Sequence, residues 1–115
     1  MDIVLKFNVQ GSVEEPYAVT FERIGAKLRA YCSCEAAERG LHCKHRINIL
    51  KGDKKGIVSG NEADVPKVVS MLAGTKLEII MKEVGALEDE AERIKKELKK
   101  SKEKLARWMD PPANY

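Results

Sequence analysis

One twenty-residue stretch, "YCSCEAAERGLHCKHRINIL", contains all three cysteines and both histidines of the 115-residue chain. It reads CxC, eight further residues, then CxH, so the candidate metal ligands are Cys32, Cys34, Cys43 and His45. Three sulfurs and one imidazole form a closed tetrahedral set that suits Zn²⁺ and leaves no position for an activated water. The stretch therefore predicts one structural zinc ion per chain.

Three other interpretations of this stretch remain open. The cysteines can be small buried apolar side chains, or Cys43 can be a reactive thiol whose pKa is lowered by its cationic neighbours. His42 can replace His45 as the fourth ligand, although its adjacency to Cys43 makes joint coordination awkward. A disulfide framework is disfavoured, because three is an odd number of cysteines and one thiol would stay unpaired.

Alternating polarity in the first third of the chain predicts a small antiparallel sheet. The segment "IVLKFNV" alternates apolar and polar residues, and "YAVTFERI" and "AKLRAYCSC" predict two more strands that turn at Gly25. Residues i and i+2 of a strand share a face, so we expect Cys32 and Cys34 to lie side by side at the end of the last strand.

The residues after the second cysteine predict a turn followed by a short helix. Gly40 can reverse the chain, and Cys43, Ile47 and Leu50 recur at helical spacing. Gly52 supplies the expected end of that helix. A metal at this point would join the sheet to the helix, which matters because a unit of about 60 residues often needs a metal or disulfide for stability.

The remaining residues predict two further helices. Asp64 can cap a short helix that runs from Val65 to Ala73 and ends at Gly74. Thr75 with Glu78 then resembles a capping box, after which the chain can stay helical for about 33 residues, until "DPPANY".

Heptad spacing in the last helix predicts a coiled coil, with itself or with another protein. The apolar seam comprises every a and d position: Leu77, Ile80, Val84, Leu87, Ala91, Ile94, Leu98, Ser101, Leu105 and Trp108, of which only Ser101 is polar. A long amphipathic helix folded back on its own domain is the alternative. Gly85 costs about 1 kcal/mol relative to alanine and favours a bend.

We therefore predict the α+β class: a small antiparallel β-meander and a short helix around a zinc site, then a second short helix and a long C-terminal helix. The predicted boundaries are a zinc-finger domain over residues 1–55, a loop and short helix over 56–75, the long helix over 76–109 and a tail over 110–115. The motif "CSCEAAERGLHCKH", with a hairpin before it and "RINIL" after it, resembles the SWIM zinc finger. The match covers about residues 17–50.

The resemblance implies zinc binding and, more weakly, binding to DNA or to other proteins. SWIM fingers occur in SNF-family ATPases, Mutator-like transposases and ubiquitin-pathway proteins, and this chain, which lacks the ATPase and transposase parts, resembles a small free-standing member. The sequence shows no catalytic set: "GDKKGIVSG" does not match a phosphate-binding loop, and the acidic pairs lie in polar contexts. We predict a non-enzymatic interaction module.

Partners and location follow from charge and hydrophobicity. A protein partner or self-association through the 76–109 helix is the first expectation, and nucleic acid is the alternative. The net charge of +3 is too small to decide between them. Nucleic acid would contact five basic residues of the finger: Lys44, Arg46, Lys51, Lys54 and Lys55. No run of about 18 apolar residues or signal-peptide pattern is present, so we expect a cytoplasmic protein that has no membrane partner.

Overall fold

The computed structural model describes residues 2–110 and confirms the α+β class. Three antiparallel strands, β1 (Ile3–Val9), β2 (Tyr17–Ile24) and β3 (Lys27–Cys32), form a meander with β2 in the centre. The helices are α1 (Glu35–Glu38), α2 (Lys44–Leu50), α3 (Val65–Leu72) and α4 (Lys76–Met109).

The sheet is amphipathic, as its alternating sequence predicts. Val9 pairs with Tyr17 across β1 and β2, and Val19 pairs with Cys32 across β2 and β3. This register places six side chains on the buried face: Phe7, Val9, Val19, Phe21, Leu28 and Cys32. The hairpin between β2 and β3 turns at Gly25, whose φ of 59° suits the residue without a Cβ.

Two short helices complete the core. The buried residues of α2 are Ile49 and Leu50, and α2 packs against β3 and α3. Helix α3 buries four side chains, Val65, Val68, Met71 and Leu72. Arg23 fixes the end of α3 to the hairpin, since its guanidinium donates hydrogen bonds to the Met71 carbonyl at 2.6 Å and the Gly25 carbonyl at 2.7 Å. Phe7 and Phe21 are the aromatic residues in the buried core of the described chain.

The structure differs from the sequence prediction at Cys34. Strand β3 ends at Cys32, so the prediction that both cysteines lie on one strand is wrong. Cys34 is instead the N-cap residue of α1, a helical turn that the sequence did not indicate. The Cys34 sulfur accepts a hydrogen bond from the Ala37 N–H at 3.4 Å, and this bond starts the turn. The predicted reversal at Gly40, with φ 73°, is confirmed.

The start of α3 also differs from the prediction. A 3₁₀ turn (Glu62–Asp64) precedes the helix, so Asp64 already has helical backbone angles and its side chain caps no N–H group. Its carboxylate lies 3.1 Å from the Lys67 ammonium and accepts a hydrogen bond from the Asn61 side chain at 3.3 Å. These two partners lower the pKa of Asp64, the Lys67 contact being the larger cause.

Helix α4 begins with a capping arrangement close to the predicted one. The Thr75 hydroxyl donates to the Leu72 carbonyl at 2.6 Å and accepts from the Glu78 N–H at 3.3 Å. The Glu78 carboxylate accepts from the Gly74 N–H rather than from Thr75, whose own N–H already donates to Leu72. The helix continues through Gly85 to Met109.

The chain divides into two compact units between Glu78 and Ile79. The predicted tail at 110–115 falls, beyond its first residue, outside the described residues. Within the described part of the chain, no helix is long and apolar enough to cross a membrane.

Candidate metal centre

Four candidate ligands from separate elements converge at one point of the first unit. Cys32 ends β3, Cys34 precedes α1, Cys43 is the N-cap residue of α2, and His45 lies in the first turn of α2. Their ligand atoms all lie within 4.8 Å of one another. All three cysteines are buried, and none forms a disulfide. The structure therefore brings together the whole set that the sequence motif singled out.

Three of the six distances between these atoms are close to those in a tetrahedral metal site. The sulfurs of Cys34 and Cys43 are 3.4 Å apart, and His45 Nδ1 lies 3.6 Å from the Cys43 sulfur and 3.8 Å from the Cys32 sulfur. Metal–sulfur bonds of about 2.3 Å at tetrahedral angles give ligand separations of about 3.8 Å. One ion of that size fits among the four atoms.

Cys32 and Cys43 do not ionise alike. Burial raises the pKa of the Cys32 thiol to about 12, and the neighbouring Cys34 N–H offsets this only in part. Burial also acts to raise the pKa of Cys43, but attraction from the Arg46 N–H and from the Cys34 thiol outweighs it, so the pKa of Cys43 is lowered. The thiolate form is therefore favoured at Cys43 and disfavoured at Cys32, where a cation beside the sulfur would stabilise it.

The imidazole of His45 has the charge state and orientation of a ligand. Burial, and secondarily the Lys44 ammonium, lowers the pKa of His45 and favours the neutral ring, which is the form that binds metals. Nδ1 is the nitrogen that faces the sulfurs. The Tyr17 ring lies against the imidazole, with 4.7 Å between ring centroids. His42 is exposed and is not part of the cluster.

Gly11 and Tyr17 support this histidine, and the sequence prediction missed both. A Cβ at Gly11 would collide with the Tyr17 ring and would lie 3.3 Å from His45 Nε2. The glycine thus lets the loop after β1 pass close to the imidazole. Its only sequence signal is the "QGS" turn, which carries no information about a histidine 34 positions away.

Arg46 stabilises the segment that contains the candidate ligands Cys43 and His45. Its guanidinium donates one hydrogen bond to the Ala30 carbonyl of β3 at 3.1 Å and another to the Leu41 carbonyl at 3.0 Å. These two hydrogen bonds connect α2 to strand β3 and to the turn before Cys43. Sequence reasoning assigned Arg46 to phosphate contacts, whereas its hydrogen bonds in the structure are structural.

We expect Arg46→Ala to destabilise the first unit by about 2 kcal/mol, since charged hydrogen bonds are worth about 1.5–3 kcal/mol. Urea unfolding, followed by the circular dichroism of the full chain, measures the change. Lys44→Ala is the matched control: it removes an exposed cation from the same helix and should change stability by less than about 0.5 kcal/mol. Equal effects of the two variants would contradict the structural role of Arg46.

The other basic residues that the sequence assigned to nucleic acid lie on the surface. Lys44, Lys51, Lys54 and Lys55 are exposed, and none of them forms an ion pair among the described residues. Exposure alone does not select phosphate as a partner, because lysines are usually exposed. Nucleic-acid binding stays a prediction from the sequence.

No protein-family model, curated protein or solved structure matches this chain. The resemblance to SWIM fingers therefore depends on the residues of the motif alone.

Proposed function

We propose that this protein is a non-enzymatic interaction module whose first unit is held together by one structural Zn²⁺. The observation that carries the proposal is the convergence of three cysteine sulfurs and one imidazole nitrogen within 4.8 Å. Thiolate and imidazole ligands in a tetrahedral set favour Zn²⁺ over Mg²⁺ or Ca²⁺, which prefer oxygen. Four protein ligands fill the coordination shell, so the ion holds the structure together and activates no water.

Burial around the cluster supports a structural role for the ion. No residue of α1 is buried, and Leu41, in the turn before α2, is 55% exposed. The buried side chains of this segment are Cys34 and Cys43 themselves. Little buried apolar surface holds residues 33–43 against the sheet. Metal bonds to the cysteines therefore supply the stability that apolar burial does not provide in this segment.

The surface of α4 supports protein association as the role of the second unit. Leu87, Ile94 and Leu98 of the seam are 64%, 51% and 53% exposed. Large apolar side chains repeated on one helix face usually mark an interaction surface. We therefore assign the helix to a protein partner or a second copy, and we place the module in a reducing compartment such as the cytoplasm, where thiols stay available to a metal.

Native mass spectrometry of the full chain tests the zinc proposal, because it counts bound ions and subunits in one spectrum. We expect one Zn²⁺ per chain. The same spectrum recorded after denaturation in acid gives the metal-free mass as the internal reference. A natively folded chain that carries no zinc, or one that oxidises readily to a disulfide, would overturn the proposal and favour redox chemistry at the cysteines.

Zinc affinity should fall as the pH falls. The Cys32 thiol, with a pKa of about 12, must lose its proton to bind the ion, so metal binding releases protons and becomes weaker in acid. The lowered pKa of His45 acts in the opposite sense, since its imidazole resists protonation until the pH drops below its usual range. Release of zinc to a chromophoric chelator, measured from pH 8 to pH 4, should therefore rise towards low pH.

His42→Ala is the control for that titration, because His42 is exposed and outside the cluster. Its release curve should coincide with that of the natural sequence. A zinc content independent of pH across this range would contradict thiolate coordination.

A further inference from the structure

The apolar seam of α4 is exposed from Ile80 onward, and its first residue, Leu77, is half-buried. No residue of this 34-residue helix is buried. The seam also includes Ile80, which is 42% exposed, and Leu105, which is 56% exposed. The helix holds more than four heptads, which exceeds the three to four that a coiled coil requires. The seam is thus long enough to be covered by one other helix.

Charge along α4 is separated into two halves. Residues 76–92 contain six acidic and two basic side chains, whereas residues 93–109 contain eight basic and two acidic ones. Arg93, at the boundary, uses its guanidinium within the helix, 3.2 Å from the Glu97 carboxylate and 4.0 Å from that of Glu90. The other charges give the first half a negative and the second half a positive field.

We propose that the occupant of this seam is the same seam of a second copy, aligned antiparallel. The proposal deepens the association role assigned to α4 and rests on it, but it does not depend on the zinc ion. Paired helices lie about 8–10 Å apart, close to the Debye length of about 8 Å at physiological salt. At that separation an antiparallel pair sets each net-acidic half against a net-basic half, whereas a parallel pair sets the two net-acidic halves together and the two net-basic halves together.

Side-chain size along the seam favours the same orientation. With α4 fully overlapped and antiparallel, Ala91 packs against Ile94 of the second copy, and Val84 packs against its Ser101. In a parallel pair every seam residue meets its own equivalent, so Ala91 meets Ala91 and Ser101 meets Ser101. Two such layers of small side chains leave poorly filled space in the core. The antiparallel pair has no layer made of two small residues.

Residues that flank the seam distinguish the two orientations. In the antiparallel pair, Lys104 lies beside Glu83 of the second copy and Lys102 lies beside its Met81. In the parallel pair, Lys102 lies beside Glu97 of the second copy, and Lys104 has no acidic neighbour across the seam. Each orientation also has one type of like-charged contact. It is Glu90 with Glu97 in the antiparallel pair and Glu83 with Glu88 in the parallel pair. The lysine whose charge reversal weakens the dimer more therefore identifies the orientation.

The test compares Lys104→Glu with Lys102→Glu in the full chain. Both variants make the same change of charge on the same half of α4, only two residues apart. Sedimentation equilibrium at low salt should show a dimer for the natural sequence, a dimer about tenfold weaker for Lys104→Glu, and a much smaller change for Lys102→Glu. A larger effect of Lys102→Glu, or a natural chain that stays monomeric, overturns the proposal.

A disulfide between chains gives an independent reading of orientation. Chains carrying Val84→Cys are mixed with chains carrying Ser101→Cys, with zinc present to protect the native thiols, and then oxidised. The antiparallel pair should give a peptide that links position 84 to position 101, and links from 84 to 84 or from 101 to 101 overturn it. Native mass spectrometry keeps the two proposals apart: a zinc-loaded monomer refutes the pairing alone, and a metal-free dimer refutes the zinc site alone.

Discussion

Cys34→Ser is expected to release the zinc ion and unfold the first unit, while the helical signal of α4 largely remains. Cys34 is 4% exposed, lies 3.4 Å from the Cys43 sulfur and starts α1. Structural zinc contributes about 10–16 kcal/mol to small zinc-finger peptides, which is comparable to the total stability of about 5–15 kcal/mol of most domains. A serine hydroxyl is a poor substitute for a thiolate ligand.

Metal analysis together with near- and far-ultraviolet circular dichroism measures this outcome. The near-ultraviolet signal of the packed aromatic rings should disappear, and the far-ultraviolet signal should keep the contribution of the 34 residues of α4. His42→Ala is the matched control and should keep both zinc and fold, since His42 is exposed. A Cys34→Ser chain with natural thermal stability would refute the structural zinc site.

Phe21→Ala is expected to destabilise the first unit by about 3–5 kcal/mol, the usual cost of removing a buried aromatic ring. Phe21 is fully buried in the central strand, and its ring meets the edge of Phe7 with 6.0 Å between centroids. Urea unfolding of the zinc-loaded chain gives the free-energy difference.

The control for this prediction is Ile24→Ala, on the same strand. Ile24 is 47% exposed, so its truncation should cost less than about 1 kcal/mol. Equal losses for the two variants would contradict the placement of the core on one face of the sheet. If zinc is retained by Phe21→Ala and lost by Cys34→Ser, the core and the metal stabilise the unit separately.

Local patterns in the sequence were sufficient for much of this fold. The alternation of β1 and β2 predicted their exact bounds, because a strand with one buried face must repeat every two residues. The four candidate ligands were recognisable by residue type, because few side chains other than cysteine and histidine bind a soft metal. The end of α2 was predicted because Gly52, with φ 90°, suits a helix terminus.

Contacts between distant residues were not predictable in this way. The turn of α1 starts from Cys34, whose sulfur accepts an N–H while it also lies beside Cys43. Arg46 was predicted to contact phosphate, and the structure adds a role that the prediction lacked: its guanidinium donates hydrogen bonds to carbonyls 5 and 16 positions earlier. Neither role can be recognised from neighbouring residues, because each depends on which distant segment the fold brings close.

The sequence by itself determined the three strands, helices α2, α3 and α4, the candidate ligand types and the heptad seam of α4, because periodicity and capping act over a few neighbouring residues. Only the tertiary structure decided how β3, α1 and α2 bring four ligand atoms within 4.8 Å, and that Gly11 and Tyr17 support His45. The physical reason is that such a site is defined by distances between segments, and these follow from packing of the whole core rather than from any one segment.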